Sequence, residues 1–264
     1  MKPLPSTVTG PDRSFLQRLV DRARVDERVE ALFLGGSHAS GTADEYSDLD
    51  LYLITTDEGF ERFRDERRDL MAALGELVFL EEHEDFGFLL ILYIYRDGVG
   101  GEMALAPVRE INDVHSGPFE VLVDRTGVMD GRVFRSGHLD ERTRIEMVRR
   151  ALMWFWYERA NLDVAIRRGH LWTAHYHLER CRERCLDLAW IRARPEVWPG
   201  GHEKAERMLA AMTLERLAPT IVPLQREALR RASDAVTDFY REVGPEVATA
   251  CGVEYPATLD DTMT

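Results

Sequence analysis

The stretch Val29–Thr55, VEALFLGGSHASGTADEYSDLDLYLIT, decides the fold. Its apolar run from Ala31 to Leu34 ends at Gly35-Gly36-Ser37, and further on Asp48-Leu49-Asp50-Leu51 opens a second apolar run. The first reads as a buried strand and the second as an alternating strand. Side chains on a strand alternate sides, so Asp48, Asp50 and Tyr52 share one face while Leu49, Leu51 and Leu53 share the other. Two carboxylates then stand about 6–7 Å apart with the core behind them. Bare, they repel; a hard divalent cation between them makes the arrangement favourable, so the spacing proposes a metal site. A strand that ends in Gly-Gly-Ser and turns into a short helix offers N–H groups and a hydroxyl to phosphate oxygens. The alternative reading is a helix cap at Ser37 and a turn carboxylate at Asp48 without chemistry.

Length and charge narrow the setting. A chain of 264 residues can bury a full core and has room for two domains, divided here as 1–138 and 139–264. Its apolar stretches fall short of the roughly 18–20 residues needed to span a bilayer, and MKPLPSTVTGPDRS lacks the apolar core of a signal peptide, so a cytoplasmic protein is expected. Cys181, Cys185 and Cys251 are too few for a disulfide framework; the first two, four apart on a helical pattern, read as buried thiols. The net charge of −13 is uneven: residues 1–138 hold 27 acidic against 15 basic side chains, residues 139–264 hold 20 against 19. Such a surface repels a polynucleotide and attracts a small cation, unless the excess serves solubility alone.

Around the central stretch, residues 1 to about 11 read as a loose arm and Asp12–Arg24 as a helix. Asp57–Leu74 reads as an exposed amphipathic helix. After the short run Leu77–Leu80, the acids Glu81, Glu82, Glu84 and Asp85 read as a solvated loop. Gly87–Tyr95, GFLLILYIY, is expected as a central strand, joined through a turn at Arg96-Asp97-Gly98 to a partner strand at Glu102–Ala106. On that partner Glu102 faces away from Met103 and Leu105. Phe119–Val123 reads as one more strand. From about Leu139 the pattern is helical: Asp140–Arg168 closed by Gly169, Leu171–Arg194 closed by Pro195, then His202–Leu217 and Leu224–Val243, with the last dozen residues frayed. The cluster Trp154, Phe155, Trp156, Tyr157 covers more than one helix face, so it either packs inside the bundle on both sides or forms part of a partner surface. His170, His175 and His177 make no metal spacing.

An apolar strand, Gly-Ser, about ten residues and Asp-x-Asp within a strand resembles the signature of the polymerase β superfamily of nucleotidyltransferases, with Gly36, Ser37, Asp48 and Asp50 at the matching positions. Together with IYRDGVGGEMALA (94–106) and the helical pair 151–191, it makes the chain similar to the small antibiotic nucleotidyltransferases, first the lincosamide group and next the streptomycin adenylyltransferases. The resemblance implies an α+β fold: a mixed-sheet nucleotidyltransferase domain followed by an all-α helical bundle. It implies that Asp48 and Asp50 bind two Mg2+ ions with Glu102 as third carboxylate and base, Glu110 and Asp97 being the other candidates. Gly36 and Ser37 would hold phosphates of ATP or another NTP, and Arg180 and Arg184 would add triphosphate contacts, unless they form ion pairs with Glu179, Glu183 or Asp187 on their own helix. Gly35 departs from relatives that carry a larger residue there, and a closer approach of backbone to phosphate is expected from it.

The implied activity is transfer of a nucleotide to a hydroxyl of a small molecule, an antibiotic such as a lincosamide or aminoglycoside. The alternatives are modification of a protein or RNA end, and nucleotide binding without catalysis. Nucleic acid is disfavoured as a partner by charge, no membrane partner is expected, and the choice between monomer and homodimer stays open.

Overall fold

The computed structural model describes residues 3–84, 87–135, 137–203 and 205–262. The chain divides into two compact units, residues 1–136 and 137–264.

The first unit runs α1 (Gly10–Val25), β1 (Val29–Leu34), α2 (Gly36–Ser40), β2 (Leu49–Thr55), α3 (Phe60–Ala73), β3 (Leu77–His83), β4 (Leu89–Tyr95), β5 (Gly100–Pro107) and β6 (Glu120–Asp124). The strands form one mixed sheet in the order β3-β4-β5-β2-β1-β6. β2 and β5 pair in parallel, and the other neighbours are antiparallel. Alternation divides the residues between two faces. Leu49, Leu51 and Leu53 of β2, Tyr93 of β4 and Met103 of β5 pack in one core with Phe15, Leu16 and Leu19 of α1. On the opposite face Ala31, Phe33, Ile54 and Ala106 pack against Ile111, Val114, Met129 and Phe134 of the segment around β6. That segment covers the Ile54 end of β2, and Asp50 and Tyr52, further back along the same face, are only half-buried.

Three local expectations change here. The N-terminal arm is packed: Val8 is buried, and the Arg13 guanidinium donates to the carbonyls of Pro5 and Val8. Glu81 and Glu82 lie on β3 rather than in a loop, because Glu82 receives Arg67 at 2.9 and 2.8 Å and Arg68 at 2.9 Å across from α3. Asp85 of the same acidic run lies outside the described residues. Finally, β4 is an interior strand but not the central one, since β3 alone lies beyond it.

The second unit comprises α4 (Glu141–Arg168), α5 (Leu171–Ala193), α6 (Ala205–Met208), α7 (Ala211–Leu217), α8 (Arg226–Ala250) and α9 (Ala257–Thr262). The Asp140 carboxylate accepts from the Thr143 N–H at 2.9 Å and starts α4; Gly169, left-handed at φ 75°, ends it. The core lies between α4, α5 and α8, where Phe155 and Tyr240 stack at 3.8 Å and the Tyr240 hydroxyl donates to the Leu152 carbonyl at 3.0 Å. Cys181 and Cys185 are buried free thiols, both pushed well up in pKa by burial. The aromatic cluster is divided by helix geometry: Phe155 and Trp156 point inward, while Trp154 and Tyr157 are 45% and 60% exposed.

The helix expected over 202–217 is two short ones, broken at Leu209-Ala210. α8 runs past Val243 through Gly244-Pro245, because Tyr240, Val243, Val247 and Ala248 continue one buried stripe that outweighs the hydrogen bond Pro245 cannot make. Near the C-terminus α9 is held in place, with Asp260 receiving both Arg241 (2.7 Å) and the Tyr255 hydroxyl (2.8 Å), rather than frayed. No helix of the described residues is long and apolar enough to cross a membrane.

Candidate active site

The site is built where β1 hands over to α2 beside the start of β2. The Gly35 N–H donates to the Asp50 carbonyl at 2.9 Å, tying the turn to the strand that carries the carboxylates. Gly36 has φ +54°, and a Cβ there would stand 1.6 Å from Asp50 Oδ2, so both conformation and space demand glycine. The Ser37 hydroxyl is buried without a hydrogen-bond partner among the described residues. The loop into β2 is organised by Asp44, whose carboxylate accepts from the Tyr46 N–H at 3.0 Å and the Ser47 hydroxyl at 3.1 Å, and Asp48 leaves it exposed just ahead of β2.

Glu102 sits directly opposite Asp50 in the parallel β2–β5 ladder. Adjacent strands lie about 4.8 Å apart, and opposite residues project from the same face. Asp97, in contrast, is in the β4–β5 turn, where it accepts from the Val99 N–H, and Glu110 lies beyond β5 against Arg109. Asp50 and Glu102 thus share one face of the sheet, with Asp48 exposed just ahead of β2. Among the described residues, Glu179, Glu183 and His202 of the second unit gather their ligand atoms within 4.8 Å of one another, and Arg182 and Arg180 donate to the two carboxylates.

Next to the carboxylates, a pocket of about 280 Å3 is lined by Asp50, Tyr52, Phe88, Leu90, Glu102 and Ala104. Tyr52 stacks on Phe33 at 4.8 Å and meets His115 edge-on at 4.5 Å. Burial, with Asp50 and Glu102 nearby, pushes the Tyr52 phenol up to about 12. The His115 Nε2 lies 3.0 Å from the Pro118 carbonyl, which makes Nε2–H the donor, and burial lowers its pKa, so the ring is neutral. These two rings explain Gly35: a Cβ there would lie 2.7 Å from both Tyr52 and His115. The space a side chain would take at Gly35 is filled by aromatic packing. Strand parity had put Tyr52 on the carboxylate face; nothing in the local sequence marks His115.

Arg180 and Arg184 lie in the second unit on α5, engaged locally. Arg180 donates to Glu183, and Arg184 donates to Asp187 at 2.9 Å. The His177 imidazole donates to the buried Glu158 at 2.7 Å.

Among solved structures, the chain is similar to an aminoglycoside 6-adenyltransferase from Bacillus subtilis, with 19% identity over 94% of both chains and a TM-score of 0.43. It is also similar to a nucleotidyltransferase-like protein from Exiguobacterium sibiricum, with 11% identity over 90% of this chain and 78% of that one and a TM-score of 0.34. No curated protein matches the chain significantly. The family model described as streptomycin adenylyltransferase matches residues 12–264, nearly the whole length, and the chain belongs to that family of adenylyltransferases.

Proposed function

We propose that the protein transfers AMP from ATP, in the presence of Mg2+, to a hydroxyl of a small cationic acceptor, an antibiotic of the aminoglycoside class. The observation that carries this reading is Glu102 opposite Asp50 beside the Gly36–Ser37 turn. The residues fit the metal and the nucleotide. Asp50 and Glu102 lie opposite each other on neighbouring strands with Asp48 just ahead of β2, an oxygen-donor set suited to a hard divalent cation, and the buried Ser37 hydroxyl, without a hydrogen-bond partner among the described residues, can donate to a phosphate oxygen. Asp48 and Asp50 would hold the magnesium that accompanies the nucleotide, and Asp50 and Glu102 would hold the one on the acceptor side. Bound magnesium would draw negative charge from the phosphates and lower the cost of attack.

Glu102 accepts the proton of the acceptor hydroxyl as its oxygen bonds to the α-phosphorus. The bond from that phosphorus to the bridging oxygen of the β-phosphate breaks, and pyrophosphate leaves. The pocket walled by Tyr52, Phe88, Leu90 and Ala104 receives a ring of the acceptor beside the carboxylates. The acidic excess of residues 1–138 favours the same choice of acceptor. The test is incubation with ATP labelled at the α-phosphate, Mg2+ and a panel of aminoglycosides and lincosamides. Label on an aminoglycoside, with an equal amount of pyrophosphate, is the expected result. Label on protein or RNA alone would overturn it.

A further inference from the structure

We propose that the N-terminal segment ahead of α1 is part of the nucleotide-binding apparatus, because its Thr7 hydroxyl, acting through the His38 imidazole, fixes α2 where Gly36 and Ser37 receive phosphate. α2 has five residues, far too few to hold its shape or direction unaided. It must be held by its contacts, and His38 is its buried side chain. His38 Nδ1 lies 3.1 Å from Thr7 Oγ1. Thr7 is itself fixed: Val8 beside it is in the core, its N–H donates to the Pro5 carbonyl at 3.3 Å, and Arg13 of α1 donates to the carbonyls of Pro5 (3.1 Å) and Val8 (3.3 Å). The chain of contacts therefore runs from α1 through Arg13 and the segment to His38, the residue adjoining Ser37. Residues 3–9 lie outside the stretch that the family model matches.

Thr7 and His38 are positioning residues, and their role rests on the nucleotidyl-transfer reading above. The test measures KM for ATP, kcat and melting temperature for Thr7→Val, Thr7→Ser, His38→Phe and the double variant Thr7→Val/His38→Phe. Loss of one hydrogen bond is expected to raise KM for ATP about three- to tenfold in Thr7→Val, with kcat little changed. Thr7→Ser restores the wild-type KM, and Thr7→Val adds little once His38→Phe is present. A Thr7→Val protein that melts lower but keeps the wild-type KM would overturn the proposal, since the segment would then serve the fold alone. Binding of a non-hydrolysable ATP analogue to the wild type reads the nucleotide site separately: its absence counts against the site, whereas its presence with an unmoved Thr7→Val counts against the segment's role.

Discussion

Replacing Glu102 by Gln keeps the side chain's shape while removing a proton acceptor and a negative charge, so turnover is expected to fall by about a hundredfold or more. Binding of ATP survives in this variant, because Asp48 and Asp50 remain. Glu110→Gln and Asp97→Asn are expected to stay near wild type, since the turn and the segment after β5 hold these carboxylates away from Asp50. Steady-state kinetics on the four proteins checks the assignment; activity lost in a control and kept in Glu102→Gln would move the third carboxylate elsewhere. Gly36→Ala is expected to abolish nucleotide binding, because the new methyl group would occupy the place of the Asp50 carboxylate; calorimetric titration with an ATP analogue reads this directly. His115 makes a pH prediction. Its folded pKa is depressed by burial, so below an ordinary value of about 6.5 the unfolded chain takes up a proton that the folded ring refuses. Its contribution is intact above that pH and is lost as pH falls toward the lower folded pKa. His115→Phe is therefore expected to lose less melting temperature than wild type between neutral and mildly acidic pH.

Among the elements, α4 shows how local signals and packing divide the work. Asp140 satisfies an orphan N–H of the first turn, and the left-handed Gly169 stops the helix. Asp140→Ala is expected to lower stability through loss of the cap, and Asp140→Ser to recover most of the loss, in denaturant titrations. α8 shows the opposite balance. A proline in a helix interior ordinarily costs about 3 kcal/mol, yet the buried stripe from Tyr240 to Ala248 carries the helix across Pro245. β3 is a third case, where Arg67 and Arg68 neutralise Glu82 and let an acidic sequence remain in the sheet.

For the molecule as a whole, the unequal charge of its two parts has a kinetic consequence. A cationic acceptor approaching the acidic residues 1–138 is drawn by a field that salt screens over about 8–10 Å at moderate ionic strength. The KM of a polycationic acceptor is therefore expected to rise with added salt, while that of an uncharged hydroxylated acceptor stays nearly level. Initial rates over a salt series, with MgATP saturating, make the comparison, and equal salt responses would remove charge from the account of acceptor choice.

What was legible in the sequence was encoded over short distances. The spacing of Gly35-Gly36-Ser37 and Asp48-x-Asp50, the parity that puts Tyr52 with the carboxylates, the Asp140 cap and the Gly169 stop all follow from backbone periodicity and allowed dihedral angles, which a few neighbouring residues determine. The pairing of Asp50 with Glu102 joins residues far apart in the chain, and strand parity could orient each without choosing the register between them. The same holds for Glu82 with Arg67, for the two rings that occupy the space at Gly35, and for the N-terminal segment against α2. These depend on which surfaces meet after the strands have paired. The sequence by itself therefore determined the elements and the kind of chemistry they carry, and the tertiary structure decided which carboxylates face one another, because register and packing are settled by long-range burial rather than by any local pattern.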